Sequence, residues 1–431
     1  MSSADMSALI GARYGRLLKF ITCPHCWHRF EACDIVWVAK HSDLRGDTVL
    51  GLDHFVRFLP TRFNVAGEAL DARGMPCQQL ACPRCHLVIP RVFLKLEPLI
   101  FSLVGVPFSG KTYFLTAMTW ELARIFPSRF ALAFSGVDAS ANYTLNEYQK
   151  TLFMQEDQRA SVGIDKTQLD SVSHYDSTNL EGQPVLLPRP FLFSMRPLKE
   201  HPKAPDAENV GRIICLYDNA GEHFLPGQDT ALAPGTQHMS RSKVMMFLYD
   251  PVQDPRIRQK CKEISSDPQL YGAIPTQLQS TILGEAAMRV RQYANIPPNK
   301  KLEQPLMVLV SKADIWEKLI AEDFSAEPYV DPPSPGSGRL SLVDAVRVKK
   351  VSAKIRSWLA GLAPELVATA EDSFKQVMYL PISPLGCSPK TQDGSKMLLV
   401  ESGRIRPHWV TVPIAYAFAT WATGLVASKV S

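Results

Sequence analysis

Leu99-Ile-Phe-Ser-Leu-Val-Gly105-Val-Pro-Phe-Ser-Gly110-Lys111-Thr112 is the stretch from which the rest of this chain is read. Its first six residues are apolar apart from Ser102, a length that suits a strand buried on both faces. The next eight fit G-x-x-x-x-G-K-[ST], and a helical pattern opens at Thr112. Glycines at 105 and 110 let backbone N–H groups curl around phosphate oxygens, and the helix N-terminus adds partial positive charge. Gly105, Ser109, Gly110, Lys111 and Thr112 are therefore the candidate phosphate-side residues. Lys111 would reach the β- and γ-phosphates, and the Thr112 hydroxyl would ligate Mg²⁺.

Working outward, similar apolar runs recur at Ile213–Tyr217, Val244–Tyr249, Leu306–Val310 and Val377–Ile382. Helix-period stretches lie among them, at Thr112–Ile125 (expected to stop at Pro127), Gln277–Ala294 and roughly Leu342–Leu362. This alternation predicts an α/β fold with a mainly parallel sheet flanked by helices. A poorly patterned insertion from about 131 to 190 follows the first helix, ahead of a strand at Phe191–Leu198. Glu327–Gly338 reads as a Pro/Gly/Ser loop. Trp409–Ser428 is uncharged and just long enough to span a bilayer. Its three threonines, one proline and many alanines read instead as a buried terminal helix beginning near Pro413, so no membrane association is expected.

Three of the later runs end in polar signatures. Leu216-Tyr217-Asp218-Asn219-Ala220-Gly221-Glu222 places a carboxylate at a strand end, where it can hold Mg²⁺, and the D-x-x-G form lets the Gly221 N–H contact a γ-phosphate. Ser311-Lys312-Ala313-Asp314 puts an acid where it can accept from both the ring N–H and the exocyclic amine of guanine. Adenine offers no such donor pair, so Asp314 decides the base, with the Lys312 stem along the base plane. Ser383 follows the last run, in Pro381-Ile382-Ser383-Pro384-Leu385-Gly386. An ATP-binding protein in which Ser311–Asp314 is coincidental, and a scaffold that holds nucleotide without turnover, are the rival readings.

These four elements, in this order, resemble a Ras-like P-loop GTPase of the translation-factor class. The phrases LVGVPFSGKTYFLTAM, LYDNAGEHF and VSKADIW, with the cysteine pairs at the N-terminus, look most like the bacterial double-GTPase group, which is associated with conflict and defence systems. The resemblance implies GTP/GDP and Mg²⁺ as ligands, slow hydrolysis, and a protein partner that reads the bound state. It makes Glu222 the residue at the position of the water-orienting Gln. The switch Thr falls on Thr167 or Thr178, Thr167 being favoured, and Arg159, Arg189 and Arg196 are available as arginines in cis. Ser311 departs from the usual Asn or Thr, which weakens the bridge between phosphate loop and base. The 107 residues from Lys111 to Asp218 require an extra subdomain.

Cys23-Pro-His-Cys26 and Cys82-Pro-Arg-Cys85 are near-repeats, each followed by a mostly apolar run. Two such knuckles complete a tetrahedral Zn²⁺ site with no open position, so Cys23, Cys26, Cys82 and Cys85 are expected to hold a structural zinc. A small β insertion must fill the 55 residues between Cys26 and Cys82. His25, His28, Cys77 and His86 are close enough in sequence to be alternative ligands, and two separate thiol pairs are the rival arrangement. The chain thus divides into a zinc-ribbon-like module at 1–95 and a nucleotide-binding domain at 96–431.

Composition limits the remaining classes. Nine cysteines in 431 residues are too few for a disulfide scaffold, and the start of the chain lacks an apolar signal region, which together predict a reducing, cytoplasmic setting. A formal net charge of +5 over this length makes no general field for nucleic acid or anionic lipid.

Overall fold

The computed structural model describes residues 15–164, 175–218, 234–272, 278–320, 322, 324–332, 340–391, 398–422 and 424–429. A seven-stranded mixed sheet lies at its centre. Numbered along the chain, its strands are β1 (Glu97–Gly105), β2 (Leu132–Gly136), β3 (Phe191–Pro197), β4 (Arg212–Asp218), β5 (Val244–Tyr249), β6 (Leu306–Val310) and β7 (Val377–Pro381). Their order is β2-β3-β4-β1-β5-β6-β7. The five strands from β4 to β7 in that order run parallel. β3 pairs antiparallel with β4, and β2 with β3, so the chain between β1 and β4 adds two antiparallel strands at one edge. Every residue of β5 and β6 is buried, as expected of continuous apolar runs covered on both faces.

The helices among the described residues include α1 (Lys111–Phe130), α2 (Gln279–Ala294), α3 (Ala345–Leu362) and α4 (Val412–Thr420). Pro127 does not stop α1, contrary to the expectation from sequence. Phe126 and Phe130 lie in the core at 0% and 1% exposure and pack edge to face, which holds the last turn against the sheet. That burial outweighs the roughly 3 kcal/mol an interior proline costs. The helix ends instead at Ala131, whose φ of 48° is left-handed. α3 starts later than its pattern suggested because Leu342–Asp344 forms a short strand on Tyr329–Val330. Asp344 then caps the helix, accepting from the Arg347 N–H at 2.9 Å. α4 is buried from Val412 to Phe418, and among the described residues no helix is long and apolar enough to cross a membrane.

The segment between α1 and β3 also contains a helix at Tyr143–Phe153 and a hairpin of Tyr175–Leu180 on Gln183–Pro188. Between the two cysteine pairs lie short strands, among them Val36–Val38, Arg57–Phe58 and Leu80–Ala81, which join Val88–Ile89 in a four-stranded sheet. This cysteine-bearing segment shares one core with the large sheet: Trp27, Leu80 and Ile89 cluster with Leu192, Ile213 and Tyr217.

Candidate functional site

The polar loops gather at the carboxyl ends of the parallel strands, the edge where open α/β sheets bind ligands. β1 lies between β4 and β5 and delivers the Val106–Gly110 loop to the middle of that edge. Gly105 is required here, because a Cβ would stand 2.7 Å from the Leu248 carbonyl oxygen of β5. Gly110 takes φ 92°, which a glycine adopts freely, and opens α1. Phe108, at φ 63°, is held in the same left-handed region with a bulky side chain that is 59% exposed, a local strain of the kind functional loops store. The Ser109 hydroxyl donates to the Val106 carbonyl at 2.8 Å. Lys111 is buried and its ammonium donates to the Gly105 and Val106 carbonyls, both at 2.9 Å, so the positive charge sits inside the turn of the loop. Thr112, in the first turn of α1, donates from Oγ1 to Asp218 Oδ2 at 2.8 Å. Two hard oxygen donors thus meet across the β1–β4 pair, a donor set that fits Mg²⁺.

On the far side of β1, the end of β6 carries Ser311, Lys312, Ala313 and Asp314. Lys312 adopts a left-handed φ of 57° and reaches Asp250 Oδ2 at 2.7 Å. The Ala313 N–H donates to the Ile382 carbonyl at 3.0 Å, which ties this loop to the one after β7. There Ser383 accepts from the Gly386 N–H at 2.8 Å and donates its hydroxyl to the Asp314 carboxylate. Burial pushes the Asp314 carboxyl above its ordinary value, and the Ser383 hydroxyl opposes that shift by bonding the ionised form. Gly386 has φ 66°, and a Cβ there would meet the Arg406 carbonyl oxygen at 1.9 Å.

The cysteine pairs form a second centre. The sulfurs of Cys23, Cys26, Cys82 and Cys85 all lie within 4.8 Å of one another, and all four residues are buried. Cys23 and Cys85 are 3.7 Å apart at sulfur, as are Cys26 and Cys82. Four sulfurs at about 2.3 Å from a tetrahedral Zn²⁺ would be about 3.8 Å apart, so the cluster fits that ion. The near-repeat in sequence is a near-repeat in backbone. Trp27 and His86, each directly after a pair, take φ 56° and 59°. The N–H of Cys23 bonds the His28 carbonyl and that of Cys82 the Leu87 carbonyl. Within each pair a backbone N–H, of His25 or Arg84, points at the first sulfur, at 3.3 and 3.4 Å. Three of the four alternative ligands are engaged elsewhere: His86 Nδ1 meets Asp47 at 2.8 Å, His25 meets the Val88 carbonyl and Asp176, and Cys77 donates toward Asp71, while the His28 ring stacks on Phe30.

The two centres touch. Trp27 Nε1 donates to the Tyr217 hydroxyl at 3.0 Å, and that hydroxyl donates to the Pro24 carbonyl. Tyr217 directly precedes Asp218 on β4, and its ring stacks on His238 at 4.3 Å. Thr178, the alternative switch residue, is drawn to this side as well: it lies on the hairpin and donates to the Cys85 carbonyl at 2.8 Å. Arg189, directly after the hairpin, pairs with Asp176 of its first strand at 2.6 Å. Thr167, Gly221 and Glu222 lie outside the described residues.

Asp250, Gln253 and Gln279 connect the loops of this edge and were not expected from sequence. Their signal was position: Asp250 follows the apolar run of β5 directly, at the same carboxyl edge as Asp218 and Ser311.

The chain matches no protein-family model and no curated protein. Among solved structures it is similar to Sup35 complexed with GDP, at 11% identity and a TM-score of 0.21 over 67% of this chain and 38% of that one. It is also similar to a chain of the signal recognition particle receptor SRb-GTP/SRX complex from Chaetomium thermophilum, at 12% identity and a TM-score of 0.23, covering 68% and 93% of the two chains. A Thermus thermophilus protein gives 11% identity and a TM-score of 0.24, over 75% of this chain and 40% of that one. The chain therefore spans less than half of the Sup35 chain it matches. TM-scores this low do not establish a shared fold.

Proposed function

We propose that this chain binds a guanine nucleotide with Mg²⁺ at the carboxyl edge of its sheet and works as a slowly hydrolysing switch that a protein partner reads. The observation that carries the reading is the pairing of Asp314 with Ser383 on the same sheet edge as the Gly105–Thr112 loop. One end of the edge offers a lysine and backbone N–H groups to phosphates. The other offers an anchored carboxylate, which selects a base bearing two adjacent donors.

In this reading Mg²⁺ neutralises phosphate charge, and Thr112 and Asp218 would hold it. Lys111 binds the phosphates as a point charge from within the loop. Ser383 keeps the Asp314 carboxylate turned to one position, so that the base is met by an oriented acceptor pair. Cys23, Cys26, Cys82 and Cys85 would hold Zn²⁺ with no open position, so the ion would supply rigidity to the knuckles that carry Trp27, which donates to Tyr217 one residue from Asp218. Catalytic assistance from Glu222 and Thr167 is part of the proposal on sequence grounds alone. The test is the nucleotide carried through purification, identified by mass. Recovery of GDP or GTP, lost on treatment with EDTA, supports the reading, and recovery of adenine nucleotide alone overturns it.

A further inference from the structure

Ser311 occupies the position from which the resemblance expects an Asn or Thr to bridge the base-side loop to the phosphate loop. Its hydroxyl is buried and has no hydrogen-bond partner among the described residues. The two loops are nonetheless joined, by residues that follow β5. Gln253 Nε2 donates to the Pro107 carbonyl of the phosphate loop at 2.9 Å and to Asp250 Oδ2 at 3.3 Å. The same Asp250 oxygen receives the Lys312 ammonium at 2.7 Å. Gln279, on α2, grips the backbone of Asp250 from both sides: its amide oxygen accepts from the Asp250 N–H at 2.9 Å and its amide nitrogen donates to the Asp250 carbonyl at 2.7 Å. Asp250, Gln253 and Gln279 are 0%, 1% and 3% exposed.

A polar network this deeply buried is stable only when each member is satisfied, and being satisfied it is rigid. Lys312 joins this network from a left-handed backbone, at φ 57°. We infer that Gln253 and Asp250 are positioning residues that brace the phosphate loop against the Ser311–Asp314 loop, replacing the bridge that Ser311 does not make, and that this brace sets the spacing on which affinity for a whole nucleotide depends. The inference rests on the proposed guanine-nucleotide reading. A ligand whose two ends must be met at once gains from a fixed spacing between its subsites, whereas the separate halves of that ligand gain nothing.

That difference provides the test. Affinities of GDP, guanosine and pyrophosphate are measured for wild type, Gln253→Met, which keeps the volume but not the donor, and Asp250→Asn, which keeps the shape but not the charge. Melting temperature and zinc content serve as folding controls. The expected result is a loss of at least tenfold for GDP in both variants, with guanosine and pyrophosphate each within about twofold of wild type. GDP affinity within twofold of wild type in either folded variant overturns the inference, as does an equal loss for GDP and for one fragment, which would make the residues part of one subsite. If neither variant folds, the network is core structure and the inference fails. Wild type that binds no guanine nucleotide is a separate outcome: it removes the proposed function beneath the inference.

Discussion

Thr112 Oγ1 and Asp218 Oδ2 stand 2.8 Å apart and join the first turn of α1 to the last residue of β4. Lys111, the residue before Thr112, holds its ammonium on the Gly105 and Val106 carbonyls of the same loop. Replacing Thr112 by Ala removes one oxygen of this pair and leaves the loop backbone in place. Nucleotide affinity in excess Mg²⁺ should fall by at least tenfold in Thr112→Ala, while affinity in EDTA should stay within about twofold of wild type. Equal losses with and without the metal would contradict the assignment of this pair to Mg²⁺.

The cysteine cluster should bind one Zn²⁺ per chain, and the double variant Cys82→Ser Cys85→Ser should bind none. Because Trp27, Leu80 and Ile89 share a core with Ile213 and Tyr217, removing the ion should reach beyond the knuckles. Chelation should lower the melting temperature of the whole chain rather than release a separate low-temperature transition. Zinc content by elemental analysis and a melting scan with and without chelator check both statements.

Much of this arrangement was legible in the sequence, for identifiable reasons. β5 and β6 are buried on both faces, so their apolar runs had no competing pattern and their bounds came out as drawn, whereas β1 extends beyond Leu99–Val104 to Glu97 and Gly105. The four-cysteine cluster follows from two matching C-P-x-C spacings, whereas the left-handed turn after each pair is seen only in the structure. What was not legible depends on contacts distant in sequence. Pro127 reads as a stop, and only the burial of Phe126 and Phe130 against the sheet carries α1 past it. Thr178 and Thr167 looked alike as polar loop residues, yet the hairpin registers Thr178 against Cys85, 93 positions away. Gln253 has no motif at all. It is found because the chain after β5 passes under Pro107.

Glu327 gives the molecule a pH dependence. Burial raises its carboxyl, and the nearby Glu121 raises it further against the opposing Arg129, so that it titrates near 7 in place of an ordinary 4.5. The neutral form is the one the fold prefers, so the stabilising contribution is complete below about pH 4.5 and is lost as pH rises through 7. A shift of this size corresponds to about 3 kcal/mol. Between pH 5.5 and 8 the wild-type melting temperature should therefore fall relative to that of Glu327→Gln, which stays neutral throughout. The two curves should separate most at pH 8, with the variant the more stable. Parallel curves would show that Glu327 is ionised in the fold across the whole range.

Turnover by the isolated chain should be slow. In the proposed reading Glu222 stands at the position of the water-orienting Gln, as the resemblance implies, and Arg189, one of the arginines available in cis, is paired with Asp176. An unassisted rate on the order of 10⁻⁴ to 10⁻³ per second is expected, as for small GTPases without a partner. Single-turnover assays measure it directly, and a rate above about one per second would require a catalytic arginine within the chain.

The central claim is base selection by Asp314, and competition binding tests it most directly. Labelled GDP bound to wild type in Mg²⁺ is displaced with GTP, ATP and xanthosine triphosphate, and the series is repeated with Asp314→Asn. An amide at this position offers a donor to the xanthine carbonyl where the carboxylate can only accept. Wild type should prefer GTP over ATP by at least a hundredfold, and Asp314→Asn should shift that preference to the xanthine nucleotide. Equal displacement of GDP by ATP and GTP from wild type would contradict the account.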